Sequence, residues 1–315
     1  MQSVLQNSSL YISVCLITYN QEGYISQAIE SIVNQKTSFS FELIIGEDCS
    51  KDNTRQVCEA YQQRYPGLIR LLPSSKNYGM MGNFIRTLNS ANGKYIAFCE
   101  GDDYWSDENK LQKQVEFLES NTDYTLVGHN YERLYKNNTK GKVDRRPEAK
   151  NSFVIDDYIK SHFIHINTLL YKKVATVPDW FSSLSVGDQP LIIYMAQYGK
   201  IGYMNDFMSV YRINDESFMS TNKVSQVIKN FIKDLMVINE KTYHQYEKSF
   251  AVRIRIEQLM YSFCTLKYFS KQLVIIKNAA FIIKYRKFIF KDDFSFYKLL
   301  IPNSIKSLLK SVFKA

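Results

Sequence analysis

Along residues 11–120 one pattern recurs, and it limits what this chain can fold into: an apolar β-prone run, an abrupt polar turn, then a helix-patterned segment. Residues 11–18 form the first run and end at Tyr19-Asn20-Gln21-Glu22-Gly23, after which Tyr24, Ile25, Ala28, Ile29, Ile32 and Val33 recur at helical spacing. Residues 41–45 form the second run and end at Glu47-Asp48-Cys49-Ser50. Asp52 or Asn53 is placed there to cap a helix through Val57, Ala60 and Tyr61. A third strand is predicted over 68–72, a helix over 82–92 closed by Gly93, a fourth strand over 95–99, and a helix over 109–120. Strands alternating with helices predict an α/β fold with a parallel sheet. Such sheets bind ligands at the carboxyl ends of their strands. Tyr19-Asn20, Glu47-Asp48 and Glu100-Gly101-Asp102-Asp103 are therefore expected along one edge.

Glu100, Asp102 and Asp103 pass from an apolar strand straight into a turn. Carboxylates that close repel one another unless a cation neutralises them. Hard oxygen ligands suit Mg2+ or Mn2+, which share their coordination with substrate phosphates. Taken alone, the cluster also fits a solvated turn or the Gly-Asp-Asp of a palm-type polymerase. A polymerase needs a basic groove. Here the net charge is +9, but residues 264–315 carry ten Lys and one Arg against two Asp, so the first 263 residues are nearly neutral. No nucleic-acid partner is expected.

Several motifs, in order, resemble the family 2 glycosyltransferases, particularly bacterial members that assemble surface polysaccharides. The resemblance covers roughly residues 11–220. Ile12-Ser13-Val14-Cys15-Leu16-Ile17-Thr18-Tyr19-Asn20 is similar to the family's first strand, and Glu47-Asp48-Cys49-Ser50-Lys51-Asp52-Asn53-Thr54 to its "Asp-Asp-Gly-Ser-x-Asp-x-Thr" segment, with Glu47 and Cys49 replacing the usual Asp and Gly. Asn77-Tyr78-Gly79 and Asn83 resemble the loop and helix before the metal site. Glu100-Gly101-Asp102-Asp103-Tyr104-Trp105, with Lys110-Leu111 and Gln114, resembles the "Asp-x-Asp" region as written with Glu first. Gly187-Asp188-Gln189-Pro190-Leu191 and Val210-Tyr211-Arg212 follow as in the family.

The resemblance implies a GT-A fold, a mostly parallel central sheet flanked by helices, with a C-terminal helical extension. It implies a UDP-sugar donor, Mn2+ or Mg2+ as cofactor, and an inverting transfer to a glycan or lipid-linked glycan. Tyr19, Asn20, Glu47 and Asp48 would serve the nucleotide, with Asp48 accepting from the uracil ring. Asp103 would contact the metal directly, Asp102 would sit near the ribose or diphosphate as well as the metal, and Glu100 would complete the cluster. Arg212 would add positive potential at the diphosphate, and Asp188 would be the catalytic base. Asn214 stands where the family commonly has His. Asp188 also fits a helix N-cap before Pro190. His162 and His165, at i and i+3, invite a metal reading, but no further Cys or His clusters near them. The resemblance instead places His165 to Thr168 beside the acceptor pocket.

Two rival functions share these residues: charging a polyprenyl phosphate with a single sugar, and a catalytically silent nucleotide-binding scaffold. Retention of both Asp103 and Asp188 opposes the scaffold. The expected organisation is a catalytic domain over 1–220, with a nucleotide half over 11–110 and an acceptor half over 111–220, then a basic helical extension over 221–315. Residues 271–290 mix apolar residues with Lys284, Arg286 and Lys287. That composition suits either an anionic membrane surface or packing on the catalytic domain. The N-terminus lacks a signal-like pattern and no stretch is long and apolar enough to span a bilayer, so a cytoplasmic protein, at most peripheral on the membrane, is expected. The five cysteines form no C-x-x-C pair, and Cys15, Cys49 and Cys99 are read as buried thiols.

Overall fold

The structure is a computed structural model that describes residues 11–214, 224–265, 274 and 277–284. Four parallel strands form its first half: β1 (Ile12–Thr18), β2 (Phe41–Glu47), β3 (Ile69–Leu71) and β4 (Tyr95–Glu100). The helices α1 (Ile25–Val33), α2 (Thr54–Arg64), α3 (Gly79–Asn89) and α4 (Lys110–Ser120) accompany them. This half follows the predicted alternation. β1 lies between β2 and β4, and its near-continuous burial reflects a strand covered on both faces. Ile17 is in register with Gly46 and with Glu100, so these strands deliver Tyr19, Asp48 and Gly101 to one edge.

Beyond α4 the sheet turns mixed, with β5 (Tyr104–Trp105), β6 (Tyr124–Leu134), β7 (Lys140–Val143), β8 (Ser152–Phe153), β9 (Leu170–Lys172) and β10 (Lys200–Arg212). The order is β3-β2-β1-β4-β9-β6-β10-β5, with β7 on β6 and β8 on β10. β9 runs antiparallel to both β4 and β6. Two further helices are α5 (Ile155–Ser161) and α6 (Asp188–Met195).

Three local expectations change. α3 begins at Gly79 and ends at Asn89, so Gly93 does not close it. Gly93 instead meets β1 backbone: a Cβ there would lie 2.4 Å from the Ser13 nitrogen and 2.7 Å from the Ile12 carbonyl carbon. Gly93→Ala is expected to cost about 3 kcal/mol, because backbone of a central strand cannot move aside as a side chain can. Urea unfolding checks it, and a cost under about 0.5 kcal/mol would refute the tight approach. Asn53 makes no capping bond, whereas Asp52 accepts from the Thr54 N–H at 3.0 Å. Cys15 and Cys99 are buried as expected, but Cys49 is exposed, in a turn at φ 59°.

The described chain divides into two compact units. One holds residues up to 143, 150–155 and 164–213, with the whole sheet. The other holds 144–149, 156–163 and the described residues from Asn214 onward. In it α7 (Val224–Lys241) packs on α8 (Glu247–Thr265), where Arg253 pairs with the buried Glu257 at 2.5 Å, and α9 (Ala279–Lys284) follows. The expected boundary near residue 220 and most of the basic stretch 271–290 lie outside the described residues. Among the described residues no helix is long and apolar enough to cross a membrane.

Candidate active site

The turns after β1 and β2 are tied to each other. Asn20, at φ 52°, accepts from the Lys51 N–H at 2.8 Å and donates its own N–H to Ser50 Oγ at 2.9 Å. Asn tolerates this left-handed conformation better than most residues. Asp48 is nearly buried. Its Oδ1 accepts from the Tyr78 N–H at 2.7 Å, and its carbonyl accepts from Asn77 Nδ2 at 2.8 Å. Burial pushes the Asp48 carboxyl up, while the Tyr78 N–H and the Arg86 charge pull it down. Tyr19 and Tyr78 are 41% and 40% exposed at this edge. Arg86 lies 4.5 Å from the Tyr78 ring centroid.

Glu47 departs from its expected place at the nucleotide. It is fully buried, accepts from the Ser50 N–H at 2.6 Å and faces Arg55 at 3.6 Å. The longer Glu side chain reaches inward to brace the loop that presents Asp48.

Gly101 lets the acidic segment run under the first turn, since a Cβ there would meet Gln21 Oε1 at 2.4 Å and Thr18 Oγ1 at 2.5 Å. Asp103 folds back, its N–H donating to the Glu100 carbonyl at 3.0 Å. Its carboxylate is then fixed from distant parts of the chain: Oδ1 accepts from the Arg212 N–H of β10 at 2.9 Å and Oδ2 from Asn167 Nδ2, in the 3-10 turn Ile166–Thr168, at 2.9 Å. Arg212 also donates from Nε to the Asp102 carbonyl at 2.8 Å and lies 4.8 Å from the Tyr24 ring centroid. Asp188 is the first residue of α6, directly after the N-cap Gly187.

Electrostatics join these carboxylates. Burial, then the charges of Asp102 and Asp188, pushes Glu100 up to about 8. Burial, then Asp102 and Glu100, pushes Asp103 well above the usual carboxylate range, against the pull of Arg212. Carboxylates crowded this closely repel one another, and a cation among them would relieve that repulsion. Asp188, far along the sequence, thus belongs to the same neighbourhood as the acidic segment.

Glu100, Asp103 and His165 each bring a ligand-capable atom within 4.8 Å of the others. Two hard carboxylates and one imidazole suit a divalent first-row ion, so these residues fit the implied cofactor. Asp102, expected among the metal ligands, is outside this group, and its backbone carbonyl holds Arg212. His162 and His165 do not share a helix face. α5 stops at Ser161, His162 sits at φ 45° between Tyr158 and Phe231, and His165 directly precedes the 3-10 turn Ile166–Thr168. In the sequence, this segment is signalled by the family resemblance, which places His165 to Thr168 beside the acceptor pocket.

Lys110, fully buried, stacks 4.0 Å over the Trp105 ring, and its Nζ donates to Gln114 Oε1 at 2.8 Å. Burial lowers its pKa to about 7. From pH 7 to 10 the unfolded chain therefore binds more protons at Lys110 than the folded one does, and stability gains with rising pH. Against Lys110→Met, the wild type should gain about 2 kcal/mol between pH 7.5 and 9.5. Parallel urea titrations measure this, and a pH-independent difference would contradict it.

A family model described as "Glycosyl transferase family 2" matches residues 13–177. An uncharacterized protein, Rv1520, from Mycobacterium tuberculosis (strain ATCC 25618 / H37Rv) is 33% identical over 201 residues; the match covers 64% of this chain but 58% of that relative's length. The UDP-Glc:alpha-D-GlcNAc-diphosphoundecaprenol beta-1,3-glucosyltransferase WfgD of Escherichia coli is 29% identical, over 69% of this chain and 82% of its own. TarS of S. aureus, solved in complex with UDP-GlcNAc, superposes with a TM-score of 0.61 at 20% identity, over 87% of this chain and 81% of the TarS chain, a likeness of fold. With the family matched over more than half of its length and this architecture behind it, the chain belongs to glycosyl transferase family 2 and has the GT-A fold.

Proposed function

We propose that this chain is a metal-dependent, inverting glycosyltransferase. It moves a sugar from a UDP-sugar to a hydroxyl of a glycan or lipid-linked glycan during cell-envelope polysaccharide synthesis. The observation that carries this reading is the convergence of Glu100, Asp102, Asp103 and Asp188 on one electrostatic neighbourhood at the end of β4. The names of two similar proteins support the donor and acceptor classes: WfgD uses UDP-Glc on a diphosphoundecaprenol-linked sugar, and TarS was solved with UDP-GlcNAc.

In this reading Asp48 accepts from the uracil ring beside the exposed Tyr19, and Asn20 shapes the turn that approaches the base. Asp103 and Glu100 hold Mn2+ or Mg2+, which when bound neutralises the leaving diphosphate. Asp102 lies toward the ribose and diphosphate, and Arg212 adds fixed positive charge there. Asp188 takes the proton of the acceptor hydroxyl as its oxygen forms a bond to the anomeric carbon. The bond from that carbon to the diphosphate oxygen breaks, and UDP departs with the electron pair. Attack from the face opposite the leaving group inverts the anomeric centre. The protein works at the cytoplasmic face of the membrane.

A donor panel tests this. With Mn2+ present, the protein should release UDP from at least one of UDP-Glc, UDP-GlcNAc, UDP-Gal and UDP-GalNAc. No release and no UDP binding across the panel would refute the donor assignment.

A further inference from the structure

We infer that His165 supplies the nitrogen ligand of a mixed carboxylate–imidazole metal centre with Glu100 and Asp103, locked in the required tautomer by Asn167. The inference deepens the metal-dependent reading above and rests on it. The argument turns on how Asn167 is oriented. This fully buried residue donates from Nδ2 to Asp103 Oδ2 at 2.9 Å and to the Val210 carbonyl at 3.5 Å. Both partners accept only, so flipping the amide would set its oxygen against a carboxylate oxygen and a carbonyl oxygen. The amide oxygen must therefore be the atom facing His165.

That oxygen lies 2.9 Å from His165 Nδ1 and also accepts from Ser209 Oγ at 3.3 Å. Since Oδ1 only accepts, Nδ1 carries the proton and donates it. The Asn167 N–H also points toward Nδ1, but from 3.4 Å, a weaker contact than the 2.9 Å one. With the proton on Nδ1, the ring lone pair is on Nε2, the state in which imidazole binds a metal. Ligand histidines commonly donate their other ring N–H to a fixed oxygen in this way. The rings of Tyr211 and Tyr131, with centroids at 4.6 and 5.3 Å, hold the imidazole in place. One side chain, Asn167, thus orients two members of the group at once, Asp103 through Nδ2 and His165 through Oδ1.

Distance is consistent with a shared ion. Ligand atoms opposite each other on a small divalent ion sit about 4.2 Å apart, and Glu100, Asp103 and one of the two ring nitrogens of His165 bring ligand-capable atoms within 4.8 Å of one another. A few tenths of an ångström of side-chain adjustment closes the set. The chemistry then sets the cofactor: an imidazole ligand raises affinity for Mn2+ relative to Mg2+, which favours all-oxygen sites.

Electron-spin-echo spectroscopy of Mn2+ bound to the full chain with UDP reads the ligand without any turnover. The wild type should show 14N modulation from a coordinated imidazole. His165→Gln should lose it and weaken Mn2+ binding about 10- to 100-fold, while Mg2+ binding changes less than about threefold. Bound Mn2+ with no 14N modulation in the wild type would overturn the inference and leave the metal reading intact. So would a His165→Gln protein that keeps the modulation. Failure of the wild type to bind Mn2+ at all would overturn both. The wild-type spectrum decides the matter even if the variant does not fold.

Discussion

Asp188→Asn is expected to lower the rate of sugar transfer about 1,000-fold while the affinity for UDP-sugar stays within about threefold. An amide keeps the size and polarity of the side chain but cannot take a proton, and a positioned general base contributes about 10² to 10⁴ in rate. Donor binding survives because Asp188 enters from α6, outside the β1, β2 and β4 ends that carry Tyr19, Asp48 and the acidic segment. Transfer followed with saturating donor, beside a calorimetric donor titration, separates the two effects. Parallel loss of binding and rate would make Asp188 a donor ligand, and an unchanged rate would remove it from the chemistry.

Asp103→Ala should have the second large effect. Binding of Mn2+, followed by the free-ion spin-resonance signal, is expected to weaken at least 100-fold, about 2.7 kcal/mol. The same change strips the acceptor from the Arg212 N–H and from Asn167 Nδ2. Leaving two such donors unpaired costs about 2 kcal/mol of stability. Thermal unfolding must therefore be measured beside the titration. A folded variant that still binds Mn2+ like the wild type would show that Asp103 is a structural anchor for Arg212 and not a metal ligand.

The nucleotide half of this fold was legible because its information is local. In β1 to β4 each strand is followed closely by its own helix, and the polar turns mark the strand ends directly. The acceptor half was not legible in this way. β9 enters antiparallel between β4 and β6, and β10 reaches β6 across more than 60 residues with register shifts along the way. No periodicity in the sequence reports such pairings. The same split runs through the site. Tyr19, Asp48 and the acidic segment stand at strand ends and could be named from the chain. Asp103's partners come from 64 and 109 residues away, and only the fold brings Asn167 and Arg212 to it. Glu47 could be read from its position but not its role, since one extra methylene turns its carboxylate inward onto Ser50 and Arg55. His162 and His165 stand at i and i+3, a spacing that would share a helix face, but α5 ends at Ser161 before either of them.

The central claim, that the acidic segment at the end of β4 binds a nucleotide diphosphate through a divalent ion, is tested most directly by titrating UDP calorimetrically into the wild-type protein with Mn2+ or with EDTA. UDP should bind at least tenfold more tightly with Mn2+, a gain of about 1.4 kcal/mol or more. Equal affinity under the two conditions, or no binding in either, would contradict it.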